Sequence, residues 1–175
     1  MSRIKNLFQL LVFTLLKNHQ HMISLKQGDK APEIKGIDQD GRPVSLSQYL
    51  GKKVVLYFYP KDDTPGCTAQ ACNLRDNYSD LKNHGFEVIG ISTDSDKSHK
   101  KFEGKYKLPF RLIADPEKKI VADYGVFGEK KFMGKSYQGT NRTTFLINEA
   151  GLIHRIISRP DTKNHTEQLL EAWKS

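Results

Sequence analysis

The chain has 175 residues, a net charge of +8, 27% charged residues and 37% hydrophobic residues. This length suits a single domain with a complete core, and its two cysteines are too few to form a disulfide scaffold. The lysines are scattered in short pairs such as Lys100 and Lys101, without a long basic run or an interleaved aromatic stripe, so we interpret the charge as a solvated surface rather than a nucleic-acid-binding face.

The first 21 residues are interpreted as an extension that precedes the domain. Arg3 and Lys5 are followed by an apolar run from Leu7 to Leu16, which is too short to span a bilayer as a helix, so no membrane association is predicted. A basic start and an apolar run are also typical of an export signal, but no small-x-small cleavage site and no lipobox cysteine follow. We therefore favour a cytoplasmic protein over an exported one, with Met22 as a plausible start and a domain at 22–175.

The first predicted elements form a βαβ unit. A small N-terminal hairpin is predicted from Ile34 to Val44, around the turn sequence DQDGR. The apolar run KKVVLYFYP predicts a buried parallel strand, and FEVIGIS predicts another. The segment between them, CTAQACNLRDNYSDLKNHG, predicts one helix that stops at Gly85. Four apolar residues share one face of that helix: Ala71, Leu74, Tyr78 and Leu81. A right-handed crossover should join the two strands.

The second half of the chain continues the alternation of elements. SDKSHKKFEGKYK predicts a polar helix, PFRLIAD a short strand, and PEKKIVADYG a short helix that begins with its proline and ends with its glycine. TTFLIN and LIHRII, separated by EAG, predict an antiparallel hairpin, and KNHTEQLLEAWKS predicts an amphipathic C-terminal helix. This order predicts an α/β, thioredoxin-like fold, with a central mixed sheet flanked by helices.

Both cysteines, Cys67 and Cys72, follow the first buried strand in the segment YPKDDTPGCTAQACNLRD. Functional sites in α/β proteins favour the carboxyl ends of strands. Thr64 and Pro65 suit the N-cap and the first position of a helix, which puts Cys67 in the first helical turn. The backbone N–H groups of that turn lack intrahelical partners and favour an anion, so they stabilise a thiolate over a thiol.

The helix terminus alone does not activate a thiol fully. An ordinary thiol titrates near ~8.5, and moving that value by two units requires about 2.7 kcal/mol, whereas an exposed helix N-terminus contributes about 0.3–1 kcal/mol. We therefore predict a nearby cation, and we expect Asp62 and Asp63 to oppose the thiolate if they point inward. The alternative interpretation is that Cys67 is a small apolar residue at a helix start, because free cysteines are often buried and inert.

The wider pattern favours the functional interpretation. The spacing Pro60-x-x-x-Thr64-x-x-Cys67 resembles the peroxidatic motif of the peroxiredoxins, and PKDDTPGCTAQACNLRD resembles the bacterioferritin comigratory protein branch, also called peroxiredoxin Q. The resemblance continues through GDKAPEI, DSDKSHKKFEGKYKLPF, DYGVFGEKK and GTNRTTFLIN, and covers nearly the whole chain from about Ile23. It implies a thiol peroxidase that reduces hydrogen peroxide and organic hydroperoxides.

The resemblance also implies a role for each matched residue. Cys67 is similar to the peroxidatic cysteine, whose thiolate attacks the O–O bond. Arg142, in NRTTF, would supply the missing cation and hold the peroxide oxygens with fixed donors. Thr64 would hydrogen-bond the peroxide and the thiolate, Gly66 would add a backbone N–H, and Pro60 would exclude water. Taken alone, Arg142 is better explained as a surface cation at the start of a strand. The alternative for Thr64 is a helix cap, which is compatible with its binding the peroxide.

Cys72 resembles the resolving cysteine, which condenses with a sulfenic acid on Cys67 to form an intrachain disulfide; the alternative is an inert helix residue. The resemblance implies thioredoxin or a similar dithiol as the reductant, a monomer, and no metal, haem or flavin cofactor. Gln70 and Arg75, on the same helix, are assigned to its surface. Two other functions stay open: a thiol–disulfide oxidoreductase, against which the absence of C-x-x-C counts, and a non-catalytic thioredoxin-fold redox sensor or binding module.

Overall fold

The computed structural model describes residues 24–175, so the predicted extension at residues 1–21 lies outside the described residues. In chain order the strands are β1 (Lys35–Asp38), β2 (Pro43–Ser45), β3 (Lys53–Phe58), β4 (Phe86–Ser92), β5 (Arg111–Ala114), β6 (Phe127–Phe132), β7 (Lys135–Thr140), β8 (Thr143–Ile147) and β9 (Ile153–Ile157). The α-helices are α1 (Pro65–Asp76), α2 (Tyr78–Asn83), α3 (Asp96–Tyr106), α4 (Lys119–Asp123) and α5 (His165–Lys174). A 3-10 helix covers Leu46–Tyr49. Within residues 24–175, none of the helices combines the length and the apolar character that crossing a membrane requires.

Seven strands form one mixed sheet in the order β2-β1-β5-β4-β3-β8-β9. The central strands β5, β4 and β3 are parallel, and the outer strands pair antiparallel. The predicted buried parallel strands and the two predicted hairpins, β1–β2 and β8–β9, are confirmed. The predicted fold class, a central mixed sheet flanked by helices, is confirmed as well.

The sheet separates two hydrophobic clusters, because successive side chains of a strand point to opposite faces. Val54, Leu56 and Phe58 of β3 belong to one cluster. Val55, Tyr57 and Tyr59 belong to the other, which also contains Cys67, Ala71 and Leu74 of α1. The helix that carries both cysteines is therefore packed on the sheet through the face that contains Cys67.

The helix predicted between the first two buried strands is divided at Asn77 into α1 and α2. Asn77 has a ψ of 15°, and its side-chain amide donates to the carbonyl of Asn73 at 2.8 Å. Asparagine side chains compete in this way with the helical hydrogen-bond ladder. Gly85, with a φ of +83°, follows α2 as the predicted stop.

The helix predicted in PEKKIVADYG begins later than its proline. Asp115 accepts hydrogen bonds from the backbone N–H groups of Lys119 and Val121 at 3.0 and 2.9 Å. The carboxylate therefore satisfies the free donors of α4 from outside the helix, and the residues before Lys119 form a turn with Lys118 at a φ of +61°.

Strands β6 and β7 form a separate two-stranded sheet that the sequence patterns did not predict. Met133 and Gly134 make its two-residue turn, with φ values of +48° and +76°, and two positive φ values are typical of a tight hairpin turn. The tip is exposed, with Phe132 at 68% and Met133 at 87%. The hairpin returns the chain to the main sheet two residues before Arg142.

Candidate active site

Helix α1 begins directly after an extended residue, Thr64, which has a φ of −94° and a ψ of 155°. Pro65 fills the first helical position, as predicted. The Thr64 hydroxyl makes no side-chain cap bond to the helix and instead donates to the carbonyl of Lys61 at 2.8 Å. Because this hydrogen is committed, the hydroxyl oxygen presents lone pairs and acts as an acceptor toward any further partner. Thr64 is therefore the N-cap residue by position, as predicted, but its side chain does not cap the helix.

Cys67 lies in the first turn of α1, is 1% exposed, and is approached by a guanidinium group. Arg142 Nη2 donates to Cys67 Sγ at 3.4 Å. Arg142 is half-buried and lies directly before β8, so the point at which the chain enters this strand of the main sheet brings the cation beside the sulfur. This contact provides the cation that the thiolate argument requires.

Gly66 leaves space for this arginine. A Cβ atom added at Gly66 would lie 3.1 Å from Arg142 Nη2, which is closer than most side-chain carbons come to a neighbour. A side chain at position 66 would therefore push the guanidinium away from Cys67.

Gln70 holds the other branch of the same guanidinium, because Arg142 Nη1 donates to Gln70 Oε1 at 2.8 Å. Gln70 is 0% exposed, so the surface role assigned to it from the sequence is wrong. The i, i+3, i+4, i+7 spacing of Cys67, Gln70, Ala71 and Leu74 carries the missed signal, since all four lie on the buried face of α1. Arg75 lies off this face and donates to the carbonyl of Tyr106 at 2.7 Å.

Neither aspartate before Thr64 points toward Cys67. The buried Asp62 carboxylate accepts from the Tyr59 hydroxyl and from the Ser98 hydroxyl, both at 2.7 Å. Asp63 is exposed and pairs with Lys105 at 2.7 Å, and the hydrogen bonds from Lys105 and then Tyr106 lower its pKa. Both carboxylates therefore face α3, and the opposition to the thiolate considered from the sequence does not arise.

A buried histidine completes the environment of Asp62. His99 is 0% exposed; its Nδ1 lies 2.8 Å from Asp62 Oδ2 and its Nε2 lies 3.1 Å from the carbonyl oxygen of Ile113. A carbonyl can only accept, so Nε2 donates to it, and Nδ1 faces the carboxylate. The loop before α1 is therefore tied to α3 and β5 by a buried pair.

Tyr57 lies in the same hydrophobic cluster as Cys67. Burial raises the pKa of Tyr57 well above its usual range, and the negative charge of a Cys67 thiolate raises it further. The phenol therefore stays neutral, and within residues 24–175 its hydroxyl has no hydrogen-bond partner.

Cys72 and Pro60 frame this arrangement without contacting the arginine. Pro60 is half-buried at the end of β3, and Cys72 is half-buried one turn after Thr68 on α1. Both cysteines are free thiols. Two residues five apart in an α-helix have Cα atoms about 8.6 Å apart, whereas a disulfide needs about 4.4–6.8 Å. The intact helix therefore keeps the two thiols from bonding.

Comparison with known proteins identifies relatives of this chain. The AhpC/TSA family matches residues 27–156. The chain is 46% identical over 153 residues to peroxiredoxin Bcp of Escherichia coli K12, covering 87% of this chain and 98% of that protein. It is similar to the crystal structure of peroxidoxin BcpB from Mycobacterium tuberculosis, with a TM-score of 0.75 and 32% identity over 86% of this chain and 97% of that one. It is also similar to the Xanthomonas campestris bacterioferritin comigratory protein, described for its alkyl peroxide reduction activity, with a TM-score of 0.75 and 30% identity over 81% of this chain and 90% of that one.

Proposed function

The chain belongs to the peroxiredoxins of the AhpC/TSA family, and from that premise we propose that it reduces hydrogen peroxide and organic hydroperoxides through a sulfenic acid on Cys67. The observation that carries the proposal is the 3.4 Å contact between Arg142 Nη2 and the buried sulfur of Cys67. A fixed guanidinium beside a sulfur at a helix N-terminus favours the thiolate, which is the nucleophilic form.

In the first step the Cys67 thiolate attacks the terminal peroxide oxygen. An S–O bond forms, the O–O bond breaks, and the departing alkoxide or hydroxide takes up a proton to become an alcohol or water. The negative charge that develops on the leaving oxygen is stabilised by donors that are already in place. Those donors are the Arg142 guanidinium and the backbone N–H groups of Gly66 and Cys67.

The remaining residues orient the peroxide and keep the site dry. The Thr64 hydroxyl gives its hydrogen to Lys61, so its oxygen is suited to accept the hydrogen of a protonated peroxide. Gln70 holds the guanidinium in one orientation through a 2.8 Å hydrogen bond. Pro60 shields the sulfur from water at the end of β3.

In the second step Cys72 resolves the sulfenic acid. The Cys72 thiol gives up its proton and its sulfur attacks the Cys67 sulfur; an S–S bond forms, the S–O bond breaks, and the hydroxyl takes up the proton and leaves as water, so that two thiols are oxidised for each peroxide reduced. Thioredoxin or a similar dithiol then reduces the disulfide by thiol–disulfide exchange. Since one chain carries both thiols, the reaction needs no second subunit, and we propose a monomer without a cofactor. We place it in the cytoplasm, where such dithiols are kept reduced.

Peroxide consumption by the full chain with thioredoxin, thioredoxin reductase and NADPH tests this proposal. Cys67→Ser should abolish turnover. Cys72→Ser should consume about one equivalent of peroxide to form the sulfenic acid, lose cycling, and consume a second equivalent only as sulfinic acid accumulates at Cys67. Normal cycling of Cys72→Ser would overturn the resolving role. Disulfide reduction without peroxide consumption would favour the thiol–disulfide oxidoreductase, and the absence of both activities would favour the redox sensor or binding module.

A further inference from the structure

Helix α5 is capped by a residue of another helix. Its own N-cap residue, Asn164, makes no side-chain cap hydrogen bond. Instead the backbone N–H of Thr166 donates to Asn73 Oδ1 at 2.8 Å, and the Thr166 hydroxyl donates to the same oxygen at 2.9 Å. Asn73 Nδ2 in turn donates to the carbonyl of Lys163 at 2.9 Å. One side chain of α1 thus satisfies three groups at the start of α5.

The residues that follow Asn73 on α1 are held as firmly. Leu74 is 0% exposed, and Arg75 Nη1 donates to the carbonyl of Tyr106, at the end of α3, at 2.7 Å. The last turn of α1 is therefore fixed to α5 through Asn73, to α3 through Arg75, and to the core through Leu74.

The residues that precede Asn73 are held differently. Within residues 24–175, two side-chain hydrogen bonds join residues 65–72 to other elements. Arg142 donates both of them, one to Cys67 and one to Gln70. The contact with Cys67 depends on the sulfur staying in its pocket, and it is lost when that sulfur moves toward Cys72. Cys67, Gln70 and Ala71 are buried as well, so the two parts of α1 differ in their hydrogen bonds to neighbouring helices rather than in burial, and these bonds begin directly after Cys72.

We propose that Asn73 is the pivot at which the unwinding of α1 stops when the Cys67–Cys72 disulfide forms. Asn73 is then a positioning residue for the resolving step: it keeps the backbone of Cys72 in place, and Cys67 travels to it. The inference rests on the proposed disulfide. Bringing the two Cα atoms from about 8.6 Å to about 6.8 Å or less requires the first two turns to open, and no part of the helix beyond the pivot.

Hydrogen exchange followed by mass spectrometry on the full chain tests the pivot, with the disulfide confirmed on the same samples. In the oxidised wild type, amides of residues 68–76, whose acceptor carbonyls lie at residues 64–72, should exchange roughly tenfold or more faster than in the reduced form, while the Asn77 amide, which donates to the carbonyl of Asn73, keeps its protection. In oxidised Asn73→Ala the fast exchange should extend to the amide of Asn77. Thr166→Val removes one of the three hydrogen bonds of this link, that of the hydroxyl, and keeps the bonds of the backbone N–H and of the Lys163 carbonyl; it should give a smaller shift in the same direction, and the double variant should not exceed Asn73→Ala.

Asn77→Ala is the matched control, because the Asn77 side chain also bonds to α1 but, within residues 24–175, makes no hydrogen bond to α5; it should leave the boundary at Asn73. A second readout separates positioning from simple loosening. Asn73→Ala should react with the first equivalent of peroxide at the wild-type rate, yet give roughly twofold or more sulfinic acid at the expense of disulfide, because Cys72 is no longer held.

Three results would overturn the pivot. In the first, the Asn77 amide of the oxidised wild type exchanges as fast as the amides of residues 68–76. In the second, the boundary and the sulfinic acid yield are the same in Asn73→Ala and the wild type. Absence of the 67–72 disulfide would overturn the pivot and the resolving role of Cys72 together, whereas the first two results leave that role intact.

Discussion

The loop at residues 60–64 and the first two turns of α1, at residues 65–72, are adjacent in sequence and both surround Cys67, yet they are held in opposite ways. In the loop, Asp62 is tied through its carboxylate to Tyr59, Ser98 and His99, and its backbone N–H donates to Asp94 at 2.9 Å. Asp63 adds an ion pair with α3. The first two turns of α1 have their side-chain hydrogen bonds to other elements concentrated on Arg142.

This difference matches the two demands of the proposed reaction. Groups that orient a peroxide must stay in place while charge develops, and the loop with Thr64 and the strand that carries Arg142 are both fixed. The nucleophile must leave its pocket to reach Cys72, and it lies on the segment with few ties. The site thus combines a rigid binding part with a helical segment that is able to open.

Removing Arg142, which bonds to both Cys67 and Gln70, should have the largest effect on the peroxide rate. Arg142→Ala deletes the donor beside Cys67 and the anchor of Gln70, and should lower the rate constant for peroxide reduction by about 100–1,000-fold, as expected for the loss of a preorganised donor. The measurement is the second-order rate of Cys67 oxidation under single-turnover conditions. Arg142→Lys should recover only part of the rate, because it lacks the planar fork. Arg159→Ala, at an exposed arginine, is the control. If this variant slows peroxide reduction as much as Arg142→Ala does, the effect does not arise at the site. If Arg142→Ala leaves the rate unchanged, Lys61 becomes the next candidate cation.

The free energy of unfolding should fall in acid because of His165, which packs beside β8. Its Nδ1 faces Gln168 and its Nε2 faces the Thr144 hydroxyl of β8, and burial lowers its pKa to about 4. An unfolded histidine titrates near ~6.5, so the unfolded state binds more protons between those two values. The stability from this group is complete above about pH 6.5 and is lost as pH falls toward 4, by about 3 kcal/mol in total.

Urea unfolding at pH 7, 5 and 4 measures this loss. His165→Gln should flatten the dependence, because glutamine does not titrate, whereas His84→Gln, at an exposed histidine, should keep it. Equal acid sensitivity in His165→Gln and the wild type would contradict the assignment to His165.

The anchoring of the loop is tested by two matched aspartates. Asp62→Asn replaces one carboxylate oxygen by an amide NH2 group and leaves one of the two hydroxyls that donate to this carboxylate without an acceptor, which should cost about 1–3 kcal/mol of stability. Asp63→Asn alters an exposed ion pair and should cost about 0–1 kcal/mol. Thermal unfolding gives both values, and the peroxide rate should fall only for Asp62→Asn, because the position of Thr64 depends on the buried pair. Equal costs for the two variants would show that the buried pair does not anchor the loop.

The smallest effect is expected from the extension. We propose that the domain is complete without residues 1–21, since the family match begins at residue 27. Deleting them should leave the melting temperature and the peroxide rate unchanged, and should alter neither the loop nor the first turns of α1. A large loss of thermal stability would show that the apolar run at residues 7–16 packs on the domain.

Much of this arrangement follows from local sequence. The apolar run of β3 and the Thr64-Pro65 pair were sufficient to place Cys67 in the first turn of a helix at a strand end. The contacts that hold the site were not predictable in that way. Arg142 meets Gln70 across 72 residues and Thr166 meets Asn73 across 93, and local periodicity contains no information about such distant partners. The hairpin β6–β7 escaped prediction because most of its residues are exposed, so it lacks an alternation of apolar and polar positions.

The two thiols differ in solvent access, and this difference makes the opening rate of the first turns of α1 measurable. Cys67 is 1% exposed, so a maleimide too bulky for the pocket reaches its sulfur only after the first turns of α1 have opened. Cys72 is half-buried and is labelled without that delay. At saturating reagent, the slow labelling phase therefore reports the opening rate of the reduced helix directly, without peroxide or a reductant in the sample.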